Sequence, residues 1–286
     1  MAALKKILVP VDFSSQSASA ALYAKQLAGR FQAQVVLLHV IPQFPVPDLL
    51  DSKEILDGCR AHGRMRLDAM FSDNGFRPNR VLLEGDPAPT IVDYAGRESV
   101  DLIVMPSSGA GAHHRSLPGS VAARTLCDAP CPVWTTNQIF SSSGRGPTPE
   151  LPGNIVCALD LGSRSAVVLD WAVNMAETFG ARLTVVHALN GAGCHPEVYY
   201  LEADLRKYLA ERARREISGL LRRTPRPSAE IAIEPGPAAN VVRSLAEDRH
   251  AHLLVIGRGA QSANSGYTGP HAFPLIGQAH CPVIAV

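Results

Sequence analysis

Ile7-Leu8-Val9-Pro10-Val11-Asp12-Phe13-Ser14, close to the start of the chain, returns near its middle as Ile155-Val156-Cys157-Ala158-Leu159-Asp160-Leu161-Gly162-Ser163. Each copy is a short aliphatic run that ends on an aspartate. A run this short and this uniformly apolar reads as a strand covered on both faces, the pattern of a parallel sheet. Working outward, Leu37-Leu38-His39-Val40 returns as Val185-Val186-His187-Ala188, and Glu84-Gly85-Asp86-Pro87-Ala88 as Glu234-Pro235-Gly236-Pro237-Ala238. Asp101-Leu102-Ile103-Val104-Met105 answers His252-Leu253-Leu254-Val255-Ile256, and Cys131-Pro132-Val133 answers Cys281-Pro282-Val283. Matched blocks in one order indicate a duplication.

The length of 286 residues suits two domains. Between the copies, Ser141-Ser142-Ser143-Gly144-Arg145-Gly146-Pro147-Thr148-Pro149 has the composition of a linker. The expected division is a first domain at 1–138, a linker at 139–152 and a second domain at 153–286.

Within the first copy, strands are expected at Ile7–Val11, Val35–Val40, Arg80–Leu83, Leu102–Met105 and Val133–Thr135. Helical patterns fill the gaps at Ser15–Phe31, Lys53–Phe71, Pro89–Gly96 and Ser120–Leu126. In the second copy a long helix is expected over Leu201–Leu221, with Leu205, Leu209, Ala213, Ile217 and Leu220 on its apolar face. Strands alternating with helices imply right-handed βαβ units. The fold class is therefore α/β: two tandem Rossmann-like, doubly wound domains, each with a five-stranded, mostly parallel sheet.

Composition narrows the function. Hydrophobic residues make up 46% of the chain and the formal net charge is +1. Each half can bury a core, and no overall field draws in nucleic acid or an anionic membrane. No apolar stretch approaches the ~20 residues that span a bilayer, so no membrane partner is expected. The six cysteines have neither CxxC spacing nor paired histidines, which argues against a disulfide scaffold or structural zinc. A reduced, cytoplasmic protein is expected.

In such sheets ligands bind beyond the carboxyl ends of the strands, where strand order reverses. Two loops of the first copy have suitable chemistry. One presents Asp12. The other runs from Met105 to Val121 and carries Gly109, Arg115, Gly119 and Ser120. Gly119 and Ser120 stand just ahead of a helix, so their amides and the serine hydroxyl can donate to a phosphate, and the helix dipole favours the negative charge. Arg115 adds a charge-assisted donor. Elsewhere, His39 and His187 read as hydrogen-bonded structural histidines. His113 and His114 read as solvated, Cys127 and Cys131 as buried small hydrophobes, and the basic run around Arg212–Arg215 as a solvated helix face.

Both copies, almost end to end, resemble the universal stress protein family. The resemblance rests on "ILVPVD", "LLHV", "EGDPA", "DLIVM" and the closing "GSVAARTLCDAPCPV". Members of that family that bind ATP carry Gly-x2-Gly-x9-Gly-(Ser/Thr) after the fourth strand. Here Gly109, Gly119 and Ser120 keep the later part of the spacing, and Pro106 takes the place of the first glycine. The resemblance implies that Asp12 sits at the adenine and ribose end. Val40, just past the second strand, meets adenine through its backbone; Pro10, Val11 and Met105 line the base pocket. Gly109, Gly119, Ser120 and Val121 hold the phosphates. It also implies ATP, with or without Mg²⁺, in the first domain only, because Gly269-Pro270 replaces Gly119-Ser120 in the second. Asp160 is then a relic or a structural cap. Finally, it implies a pseudo-dimer in which Val133–Thr135 meets Val283–Val286 within the chain.

No nucleophile elbow, P-loop or HExxH is present. The expected role is thus an adenine-nucleotide-binding sensor with, at most, slow incidental hydrolysis. The alternatives are a nucleotide-free scaffold of the same family and, more distantly, an ATP α-hydrolase. A homodimer or a protein partner stays open.

Overall fold

The computed structural model describes residues 4–42, 52–71, 76–108, 117–136, 151–189, 199–224, 229–258 and 272–286. The chain divides into two compact units, Ala2–Pro149 and Glu150–Val286.

The first unit runs β1 (Lys6–Pro10), α1 (Ser15–Phe31), β2 (Gln34–Ile41), α2 (Ser52–Ala69), β3 (Asn79–Glu84), α3 (Pro87–Arg97), β4 (Leu102–Pro106), α4 (Ser120–Asp128) and β5 (Val133–Thr136). Its strands lie in the order β3-β2-β1-β4-β5, every pair parallel. The chain starts in the middle of the sheet, winds out through β2 to β3, then crosses back to β4 and β5. Strand order therefore reverses between β1 and β4, and the crevice of a doubly wound sheet opens there.

The sheet forms because its inner strands are apolar on both faces. Ile7, Leu8, Val9, Leu102, Ile103 and Val104 are all fully buried. Burying each such side chain contributes about 1.5–3 kcal/mol. Helix α1 turns its alanines Ala20, Ala21 and Ala24 inward with Tyr23 and Leu27, and small residues let a helix approach a sheet closely. Trp134 of β5 is fully buried and packs on Tyr23 at 5.3 Å. The Ser14 hydroxyl caps α1 by accepting from the Ser17 amide at 3.1 Å.

The second unit repeats the plan with β6 (Asn154–Ala158), α5 (Ser165–Phe179), β7 (Arg182–Leu189), α6 (Tyr199–Leu221), β8 (Glu230–Pro235), α7 (Ala238–Asp248), β9 (Leu253–Ile256), α8 (Ala272–Gln278) and β10 (Val283–Ala285). Its order is β8-β7-β6-β9-β10, again parallel. Trp171 of α5 is buried. Gly162 replaces the capping serine, and no side chain caps α5.

Five expectations change. Val40 lies inside β2, not past it. The third helix begins at Pro87, where proline's missing N–H costs nothing at a first turn. Phe71 lies beyond α2 in the left-handed region, φ 60°. Leu205 is 56% exposed on α6, so the inward stripe of that helix starts lower, with Ala213 and Ile217 buried. The half-buried state of Cys127 also differs from the buried hydrophobe expected, whereas Cys131 is buried. Among the described residues, no helix is long and apolar enough to cross a membrane.

Candidate functional site

Beyond the carboxyl ends of β1 and β4 the first unit encloses a cavity of about 600 Å³, within the size range of small-molecule sites. Its walls include Pro10, Val11, Asp12, Val40, Met105, Gly119, Ser120 and Val121. Eight of the sequence-derived site residues thus meet around one space. The other two, Gly109 and Arg115, lie outside the described residues, as do His113 and His114. Leu38, His39, Ile91 and Pro106 also face the cavity.

The Asp12 turn is tightly built. Its Oδ1 accepts from the Ser14 amide at 2.9 Å and the Ser14 hydroxyl at 2.5 Å, an aspartate turn that starts α1. Partial burial pushes the Asp12 carboxyl up; hydrogen bonds from Ser14 and Ser17 outweigh it, so the group sits below the usual carboxylate value. The carboxylate is exposed toward the cavity and available to accept from a ligand hydroxyl.

Val40 faces the cavity through its backbone. The Val11 amide donates to Leu38 O at 2.8 Å, whereas the Gly85 amide donates to Ile41 O at 3.0 Å. Backbone groups therefore alternate along β2, even-numbered residues pointing toward β1 and odd-numbered ones toward β3. The β1 ladder ends at the Pro10–Leu38 pair, so the Val40 N–H and C=O project past it. An edge of this kind suits the donor–acceptor edge of a planar base.

At the opposite end, α4 offers its first turn. Sequence reasoning expected the Gly119 amide to meet a phosphate. Instead it donates to Ser107 O at 2.9 Å, just past the end of β4. The amides of Ser120, Val121 and Ala122 come next, and first-turn amides have no acceptor within their own helix. Pro106 is accommodated for a clear reason. The Ile103 amide donates to Pro132 O and the Ser107 amide to Thr136 O. Odd-numbered residues of β4 thus serve β5, and the nitrogen of Pro106 faces the β1 side. The β1–β4 ladder stops at Leu8–Ile103, so no sheet hydrogen bond is lost. The position is the last residue of a strand and makes no demand for a positive φ.

His39 Nδ1 lies 2.7 Å from Val11 O. A carbonyl only accepts, so Nδ1 carries the hydrogen. Burial holds the imidazole below its usual value, while the Val11 bond and Asp12 pull it up. This is the structural histidine expected, although it also forms part of the cavity wall. Phe13, left-handed at φ 63°, sits against the His39 ring at 4.3 Å and under the Arg66 guanidinium at 4.4 Å. Neither Phe13 nor Arg66 was singled out from the sequence. They are 53 residues apart, and no local pattern joins them.

The second unit has a matching cavity of about 630 Å³, with Asp160, His187, Ala188 and Ile256 in its wall. The Asp160 Oδ1 accepts from the Gly162 amide at 2.8 Å and the Ser165 hydroxyl at 3.1 Å, as a cap of the turn. Gly259, Gly269 and Pro270 lie outside the described residues. A third cavity, about 680 Å³, opens at the amino ends of strands in the second unit, away from the switch point. Two of its charged groups are already engaged, Arg249 with Glu230 and Arg182 with Asn154. No group of three or more metal-ligating side chains occurs among the described residues.

Comparison with known proteins gives one consistent result. The family model described as the universal stress protein family matches twice, at residues 3–137 and 153–286. A universal stress protein of Methanocaldococcus jannaschii is 34% identical over 135 residues, covering 45% of this chain and 79% of its own. One from Mycobacterium bovis is 25% identical over 296 residues, covering 97% of this chain and 95% of its own. Among solved structures, a universal stress protein from Archaeoglobus fulgidus superposes with a TM-score of 0.68 at 18% identity, covering 98% of this chain and 95% of its own. At that identity the likeness speaks for the fold.

Proposed function

Since this chain belongs to the universal stress protein family, twice over, we propose that its first unit binds an adenine nucleotide and acts as a nucleotide-responsive regulatory module. In this reading the ligand is ATP, with or without Mg²⁺. The base lies against the outer backbone edge of Val40 and the side chains of Val11 and Met105. The ribose hydroxyls donate to Asp12. The phosphates meet the first-turn amides of α4 and the Ser120 hydroxyl, where the helix dipole favours anions. The residues suit the group: a carboxylate and an amide turn face each other across one cavity of about 600 Å³. That pairing, at a topological switch point, is the observation that carries the reading.

Among the described residues around the cavity, none is placed to activate a water or a nucleophile. His39 spends its Nδ1 hydrogen on Val11 O, and Asp12 is engaged by Ser14. The protein is therefore read as a binding module and not as an enzyme. Occupancy alters the surface around α4, and the output is contact with another protein or a second copy, in a reducing cytoplasm that keeps Cys131, Cys157 and Cys281 out of disulfides.

The test is thermal unfolding with and without Mg-ATP. A ligand at 100 times its Kd adds about 2.7 kcal/mol, and a rise in midpoint is expected. No rise at millimolar ATP favours the nucleotide-free scaffold. Release of AMP and pyrophosphate would instead identify a hydrolase.

A further inference from the structure

We propose that Arg66 and Phe13 are positioning residues that set the Asp12 turn, so that α2 governs how well the first-unit site discriminates a ligand's vicinal hydroxyls. This inference rests on the nucleotide reading of the site. Phe13 directly follows Asp12 and holds φ 63°, a conformation that costs a bulky side chain energy and persists only where its surroundings fix it. Three contacts hold the Phe13 ring and carbonyl on top of that backbone shape. Arg66 of α2 lies over one side of the Phe13 ring, with its Cζ 4.4 Å from the centroid. Arg66 also donates to Phe13 O at 3.4 Å, a long bond that reaches the backbone of the turn itself. His39 packs on the ring at 4.3 Å while its Nδ1 donates to Val11 O, the carbonyl just ahead of Asp12.

The turn is thus gripped on both sides of the aspartate, from β2 through His39 and from α2 through Arg66. Both Ser14 bonds end on Oδ1 of Asp12 and fix the plane of the carboxylate. Rotation of the Phe13 peptide would move that plane. Gly63 adds to the same seat. A Cβ there would meet Leu82 Cδ1 at 3.1 Å and His39 Cδ2 at 3.4 Å, so its absence lets α2 close on His39. The matched turn of the second unit keeps the left-handed residue as Leu161, φ 59°. It has no aromatic ring for a cation to grip, so the backbone shape and the clamp are separable features.

The experiment compares ATP with 2′,3′-dideoxy-ATP in the full chain, by calorimetric titration, for wild type, Arg66→Ala, Arg66→Lys, Phe13→Leu and the double variant Arg66→Ala/Phe13→Leu. Leucine occurs at the matched position of the second unit, so Phe13→Leu preserves the turn. Wild type is expected to prefer ATP by roughly tenfold or more, the worth of a hydrogen bond to a charged acceptor. Arg66→Ala is expected to shrink that preference about two- to fivefold, the size of an exposed cation–π contact, and Arg66→Lys to restore part of it. In the Phe13→Leu background, removing Arg66 should cost clearly less than in wild type, because the ring contact is already gone and only the long bond to the residue-13 carbonyl is left to lose. Equal loss for both ligands, or a full Arg66→Ala effect in the Phe13→Leu background, overturns the proposal while leaving nucleotide binding intact. A wild type that binds neither ligand overturns the reading of the site and this proposal with it.

Discussion

Ser120→Pro transplants into the first unit the residue that the second unit carries at the matched position, and the structure allows its cost to be worked out in advance. Proline is favoured at the first position of a helix, where its missing N–H is unpaired in any case. The residue before it must be extended, and Gly119 already is, at φ −63° and ψ 159°. Helix α4 should therefore form as before. What disappears is one first-turn amide and one hydroxyl facing the cavity. Hydrogen bonds to a charged partner contribute about 1.5–3 kcal/mol each. Ser120 is exposed, so the lower figure applies, and two bonds give about 3 kcal/mol, roughly a hundredfold in affinity. At an ATP concentration 100 times the wild-type Kd, the stabilisation should fall from about 2.7 kcal/mol to about 0.4 kcal/mol. The assay is thermal unfolding of both proteins with ATP and, separately, with adenosine. Adenosine has no phosphate and should stabilise both equally. An ATP affinity in Ser120→Pro within threefold of wild type would refute the phosphate end of the site. Equal loss for adenosine would show that the substitution acts through the fold.

Two further outcomes follow from the same geometry. Gly85→Ala should destabilise the protein by about 1–3 kcal/mol, because Gly85 holds φ +144° and a Cβ would approach Thr90 Oγ1 to 2.7 Å; an unshifted urea midpoint would contradict this. For Asp12→Asn, the sign is set by the lowered carboxyl value. A folded-state value below the unfolded one, which lies at about 4, stabilises the native state above that pH and ceases to as pH falls through the folded value. The stability gap between wild type and Asp12→Asn should thus be widest near neutrality and narrow as the pH falls below about 4, and urea midpoints showing a constant gap would sink the argument.

The doubly wound sheet was legible in the sequence because its evidence is local and repeated. Ile7–Val11 and Ile155–Leu159 show uniform apolarity, and each ends on an aspartate. The cavity wall was legible for a related reason. Asp12 lies just past a strand, Met105 near the end of one and Ser120 at the head of a helix, and the switch-point rule places such residues together without knowledge of side chains. Local reading failed where a group's partner is distant or where a boundary depends on a neighbouring strand. The Gly119 amide is spent on Ser107 O, a pairing that no local sequence pattern announces. Val40 reads as the end of a strand, yet β3 extends the ladder to Ile41–Glu84. The Arg66–Phe13 contact joins a helix to a turn through packing alone, and neither residue carries a sequence mark of it.

The two tryptophans of the chain fall one to each half, Trp134 in a strand of the first unit and Trp171 on a helix of the second, both shielded from water. Their fluorescence should be blue-shifted when folded and move to longer wavelength on exposure. Replacing either one with phenylalanine leaves a chain whose emission speaks for a single half. Whether the duplicated halves melt as one body or in turn then becomes a question of comparing two optical traces.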